Sequence, residues 1–160
     1  MILRYFNVAG SDPEGRVGQR TPQATLLIKV LAELATGKRS QFSLFGTDYD
    51  TPDGTCIRDY IHVEDLASAH LKALDYLRDG GQATTLNCGY GKGFSVRQVI
   101  DMVEKVEGKP LPITVVDRRP GDPPVLIAKA KKIRQVLGWE PQFDDLATIV
   151  KSSLAWEKSQ

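Results

Sequence analysis

The chain has 160 residues, 41% of them hydrophobic and 26% charged, which is enough to bury one globular core and too apolar for a disordered chain. Lysine plus arginine number 21 against 20 for aspartate plus glutamate, so the formal charge of +1 excludes the electrostatic footprint of a nucleic-acid or anionic-membrane binder and suits a neutral or small anionic ligand. Apolar runs of only a few residues, and a start from Met1 to Asn7 without a basic segment or a signal-length apolar stretch, lead to the expectation of a soluble, cytoplasmic protein.

In chain order, Ile2 to Phe6 is β-prone, and Asn7 to Gly15 carries turn residues that are expected to end that strand and open a long loop. Thr21-Pro22 reads as a helix start, with Leu26, Leu27, Val30, Leu31 and Leu34 at helical spacing and Gly37 as the stop. Phe42 to Phe45 is a short strand, followed by a polar loop from Thr47 to Gly54. Val63, Leu66, Ala67, His70, Ala73, Leu74 and Leu77 form one apolar stripe on a helix closed by Gly80-Gly81.

Thr84 to Cys88 reads as a further strand, and Gly89-Tyr90-Gly91-Lys92-Gly93 after it matches no phosphate-loop pattern, so a tight turn is expected. Ser95 and Gln98 form a capping box for a helix with the stripe Val96, Val99, Ile100, Val103 and Val106. Ile113 to Val116 is a strand candidate, Lys129 to Leu137 a short helix, and Asp144 to Trp156 a terminal helix. The order is α/β without repeats or linkers. Cys56 and Cys88 make no Cys-x-x-Cys pair, and His62 and His70 have no third ligand near them, so neither a disulfide framework nor a metal site is expected.

Three segments carry a resemblance: Arg4-Tyr5-Phe6-Asn7-Val8-Ala9-Gly10, then Phe45 to Tyr49 running into Asp53-Gly54-Thr55-Cys56-Ile57-Arg58-Asp59-Tyr60-Ile61-His62-Val63, then Arg118-Arg119-Pro120-Gly121-Asp122. In this order they resemble the UDP-glucose 4-epimerase family of the extended short-chain dehydrogenase/reductases. The resemblance implies a carboxy-terminal, substrate-binding portion across residues 1–160, made of part of a Rossmann-type sheet and a small α/β substrate domain. Residues 1–8 and about 58–80 are then expected to pack with a cofactor domain.

By the same resemblance Arg58 and Arg119 grip the diphosphate of a UDP-sugar, and Asn7 touches it. Ser43 and Phe45 hold uracil through their backbone, Leu27 lies near that pocket, and Asp122 bonds the ribose region. Tyr5 and Phe6 lie against the nicotinamide end of NAD. Planar, permanently charged guanidinium groups suit such a task, because they pair bidentately with phosphate oxygens. The plainer alternative makes Arg58 a surface partner of Asp59 or Asp53, and Arg119 a partner of Asp122, in ion pairs of little energetic weight. Leu26, where the family usually has Asn or His, and Leu126, where it is often aromatic, depart from the pattern.

The family's isomerase chemistry uses a Tyr-x-x-x-Lys pair and a glycine-rich first turn for NAD, and neither motif occurs in the sequence. A tyrosine hydroxyl, with an ordinary pKa of about 10, needs such a neighbouring cation to act as a base near neutrality. The expectation is therefore UDP-sugar binding with no catalytic residue and no full NAD site. Its partners would be a UDP-sugar and either an amino-terminal half or a second copy. Two alternatives stand beside it: another nucleotide-sugar epimerase, decarboxylase or dehydratase, and a noncatalytic UDP-sugar module or remnant.

Overall fold

A computed structural model describes residues 1–160 as an α/β arrangement of short strands around three mutually packed helices. Strands β1 (Ile2–Tyr5) and β2 (Asn7–Ala9) follow each other almost without a break. The strand therefore does not end at Asn7. At Phe6 the backbone exchanges one parallel partner for another: β1 pairs with the Thr85–Cys88 strand and β2 with the Tyr60–His62 strand. Turn-prone residues are tolerated at 7–9 because a neighbouring strand takes up the backbone groups of this stretch.

Helix α1 spans Leu27–Ala35, six residues later than Thr21-Pro22 suggests. The residue before a proline is biased away from helical angles, and Gln23 then adopts φ +52°, a left-handed conformation that a helix cannot pass through. Leu26 is still extended, with φ −71° and ψ 128°, and no side chain caps the first turn. The stretch before α1 is thus free to form a wall instead of a helix.

Strand β3 (Phe42–Phe45) pairs in parallel with β8 (Ile113–Val116). Strand β4 (Ile57–Arg58) lies between β7 (Phe94–Ser95) and β9 (Val125–Leu126), three strands of two residues each that are too short for sequence periodicity to reveal. Strand β5 (Tyr60–His62) leads directly into α2 (Val63–Arg78), and β6 is Thr85–Cys88. Helix α3 spans Val96–Glu107 with the expected reciprocal cap: Gln98 N–H donates to Ser95 Oγ at 3.0 Å and Ser95 N–H donates to Gln98 Oε1 at 2.9 Å. Helices α4 (Lys131–Leu137) and α5 (Leu146–Lys158) complete the chain.

Helices α1, α3 and α5 pack on one another, and Val99, Ile100 and Val103 of α3 reach into a single core cluster shared with β1, β3, β5 and β6 or the residues flanking them. Helix α2 departs from its expected stripe. Asp65, Leu66, Ala69 and Ala73 face inward, whereas Leu74 and Leu77 are exposed together with Leu71, at 63%. The reason is Asp65, whose carboxylate accepts from Tyr90 Oη at 2.6 Å, Gln142 N–H at 2.7 Å and Phe143 N–H at 2.9 Å. Those charge-assisted bonds turn its face toward the 139–143 segment and leave the leucines outward. No helix is long and apolar enough to cross a membrane.

Candidate functional site

Asn7, Leu27, Ser43, Phe45, Arg58, Arg119 and Asp122 all line one cavity of about 610 Å³. That volume lies in the range of small-molecule sites, roughly 300–1,000 Å³. Its walls come from the start of β2, the first turn of α1, β3, β4 and the loop between β8 and β9. Leu26, Arg39, Cys56 and Tyr60 also line it. Leu26 is a departure from the family pattern, Cys56 and Tyr60 fall within the Asp53 to Val63 segment without a site role expected for them, and Arg39 carries no sequence signal.

Arg58 is held on three sides. Its Nη1 donates to the carbonyls of Ile57 at 2.9 Å and Pro123 at 2.8 Å, and its Nη2 lies 3.7 Å from Asp122 Oδ1. Arg119 donates from Nε to Asp122 Oδ2 at 3.1 Å and lies over the Phe45 ring, 4.7 Å from its centroid. Arg119 does pair with Asp122, as the plainer alternative has it. Arg58 pairs with neither Asp59 nor Asp53.

Those two carboxylates are engaged elsewhere. Asp53 accepts from Thr55 and from the Ser95 hydroxyl, next to the α3 cap. Asp59, fully buried, accepts from three backbone N–H groups: Tyr90 at 3.1 Å, Gly91 at 3.0 Å and Ala128 at 3.2 Å. The glycine-containing turn does cradle an anion, and that anion is the chain's own carboxylate. A Cβ at Gly89 would stand 2.8 Å from Asp59 Oδ2 and 2.7 Å from the Ala128 Cβ, which explains the glycine there. The Asp59 carbonyl in turn accepts from Asn7 Nδ2 at 3.0 Å, so one residue braces both Asn7 and the strand that carries Arg58. In the sequence Asp59 stands out only as an ion-pair candidate, because nothing in a single sequence tells a buried acceptor from a surface one.

Tyr60 is the one tyrosine on the cavity wall. Burial raises its phenol well above the ordinary value, with the Arg58 charge working in the opposite direction, so at neutral pH it is a hydroxyl and not a base. Tyr5 and Phe6 do not line the cavity; Tyr5 is exposed on β1 and meets His70 edge-on at 5.9 Å. A dinucleotide needs free backbone N–H groups at a glycine-rich turn. The N–H groups of Tyr90 and Gly91 are already given to Asp59, so the glycine-containing turn at residues 89–91 does not fit the role of an NAD cradle. No step through that cofactor follows from this chain.

A profile described as Epimerase, NAD dependent epimerase/dehydratase family, matches residues 1–89. The chain belongs to that family. A UDP-glucose 4-epimerase of Azospirillum brasilense is 60% identical over 159 residues, covering 99% of this chain and 46% of the relative. A crystal structure of a UDP-glucose 4-epimerase superposes with a TM-score of 0.96 at 45% identity, over 99% of this chain and 48% of that one. The UDP-glucose 4-epimerase from Bifidobacterium longum, solved in complex with NAD+ and UDP, superposes at 0.90 with 39% identity, over 98% of this chain and 47% of that one. The chain thus spans about half the length of the relatives it matches. As an epimerase-family chain it has the α/β fold expected from its sequence.

Proposed function

We propose that this chain forms the UDP-sugar-binding part of a UDP-glucose 4-epimerase, binding and orienting the nucleotide sugar without itself moving hydride. The observation that carries the reading is the convergence of the seven named residues on one cavity, with two guanidinium groups meeting at Asp122. Arg58 and Arg119 take the diphosphate, Asn7 a phosphate or sugar hydroxyl, and the β3 backbone at Ser43 and Phe45 the uracil. Sequence relatives described as UDP-glucose 4-epimerases, and a structural neighbour solved with UDP, support this choice over other nucleotide-sugar reactions.

The exposed face made by β1 and α2, with Ile2, Tyr5, Leu71, Leu74 and Leu77, is on this reading the surface that meets a cofactor-binding half. Tyr5 and Phe6 would contact NAD only across that junction.

Calorimetry with UDP and UDP-glucose tests the binding role. Saturable binding is expected, weakened by about tenfold or more in Arg58→Ala, since a charge-assisted hydrogen bond contributes roughly 1.5–3 kcal/mol. Arg119→Ala should cost less, because its side chain is far more exposed. A folded chain that binds neither ligand refutes the reading. Interconversion of UDP-glucose and UDP-galactose by the chain alone with added NAD refutes the assignment of binding without turnover.

A further inference from the structure

Residues 18–25 make no backbone–backbone hydrogen bond, although the end of this stretch forms part of the cavity wall. Arg20 to Gln23 are exposed, whereas Ala24, Thr25, Leu26 and Leu27 line the cavity. A stretch without a ladder of its own depends on bonds from elsewhere. Two side chains supply them, one near each end. Trp156 Nε1, on α5, donates to the Gln19 carbonyl at 3.1 Å, and Arg39 Nη2 donates to the Ala24 carbonyl at 3.4 Å.

Each of these donors is itself fixed from outside the stretch. The Arg39 guanidinium meets Glu33 Oε2 through Nη2 at 3.0 Å and through Nε at 3.3 Å. Its backbone is held separately, by Arg39 N–H on the Glu33 carbonyl at 3.2 Å, so the turn after α1 does not need the guanidinium. Trp156 packs on Gly18 so closely that a Cβ there would stand 2.4 Å from the indole ring. Between the two anchored ends, Gln23 keeps φ +52°, a conformation that a residue with a side chain holds only where its surroundings impose it.

We propose that residues 18–26 are a strap held against the base end of the cavity, with Arg39 and Trp156 as the positioning residues that keep the Ala24–Leu27 wall in place for the nucleotide; the inference rests on reading the cavity as the UDP-sugar site. Leu27 lies beside the expected uracil pocket, and a wall ordered before the ligand arrives removes part of the entropy cost of binding. A strap released at either end must be ordered by the ligand instead, and affinity falls. Arg39 acts through the Ala24 carbonyl, not through its charge on the phosphates.

The test is calorimetric titration of the chain with UDP, together with trypsin digestion in the presence and absence of UDP, for the unsubstituted protein, Arg39→Met and Gly18→Ala. The first variant removes the donor to Ala24, and the second drives the strap off Trp156 from outside the cavity. Both should bind UDP about fivefold more weakly, the scale of one lost hydrogen bond. Both should also be cut after Arg20 about threefold faster or more, and UDP should slow that cut in the unsubstituted chain. The Arg39→Met loss should be the same at about 0.05 M and about 0.5 M salt, because salt screens a charge acting on the phosphates and not the placement of a wall. A loss that disappears at the higher salt makes Arg39 a distant charge and overturns the inference. UDP affinity within about twofold of the unsubstituted chain in both variants overturns the strap and leaves the UDP-sugar reading standing. No UDP binding by the unsubstituted chain overturns both. Loss of cooperative melting in both variants makes these residues structural and also overturns the inference.

Discussion

Replacing Asp59 with asparagine exchanges one oxygen of a buried acceptor for a donor. The carboxylate accepts from Tyr90 N–H through Oδ1 and from Gly91 and Ala128 N–H through Oδ2. Whichever way the amide is turned, its NH₂ faces at least one of those donors: Tyr90 in one orientation, Gly91 and Ala128 in the other. A hydrogen bond to a charged acceptor contributes roughly 1.5–3 kcal/mol, and a buried donor left unpaired costs roughly 1–3 kcal/mol. Relief of the carboxylate's desolvation opposes these losses. The net expectation is destabilisation by about 2–4 kcal/mol. With a urea slope of about 2 kcal/mol per molar, the unfolding midpoint should fall by roughly 1–2 M. UDP affinity should fall as well, because the Asp59 carbonyl positions Asn7 and the residue joins the strands that carry Arg58 and Tyr60. A midpoint shift equivalent to less than about 0.5 kcal/mol, within the range of ordinary surface substitutions, would refute the claim that this carboxylate braces the cavity.

Burial lowers the His62 pKa below its ordinary value, with Asp65 in partial opposition, and His62 Nδ1 caps α2 by accepting from Glu64 N–H at 3.2 Å. The unfolded chain takes up a proton near pH 6.5 while the folded chain resists it, so stability should be full above that pH and fall as pH drops below it. Melting curves from about pH 8 to about pH 5 should show this slope, and His62→Asn, which keeps a cap acceptor, should flatten it. Cys56 lines the cavity, whereas Cys88 is fully buried with its thiol pushed up to about 12. N-ethylmaleimide should therefore label Cys56 first, and UDP should slow the labelling; faster labelling of Cys88, or no protection by UDP, contradicts the cavity's role. Leu71→Glu with Leu74→Glu should leave stability within about 0.5 kcal/mol per site and reduce self-association in size-exclusion chromatography. Melting at a much lower temperature would mean that these leucines pack within the chain.

The elements with strong local signals were legible from the chain alone. The Ser95/Gln98 cap and the Val99, Ile100, Val103 stripe place α3 because helix periodicity and capping depend on residues three or four apart. The start of α1 was not legible, since Pro22 permits a helix in its first turn and only the left-handed Gln23 shows that none forms there. The strands β4, β7 and β9 have two residues each and owe their extended conformation to partners far away in sequence. Local pattern cannot report such pairing.

The site divides in the same way. By itself the sequence determined the α/β class and, through the Arg4 to Gly10, Asp53 to Val63 and Arg118 to Asp122 segments, singled out Asn7, Arg58, Arg119 and Asp122, which line one cavity, because residue type and order along the chain survive without coordinates. Tertiary structure alone decided which acid each arginine meets: Asp122 stands between Arg58 and Arg119, while the adjacent Asp59 turns away to hold three backbone N–H groups. Neighbouring residues on a strand point to opposite faces, so adjacency along the chain cannot say which carboxylate a guanidinium will find. That depends on which distant segments the fold brings alongside it.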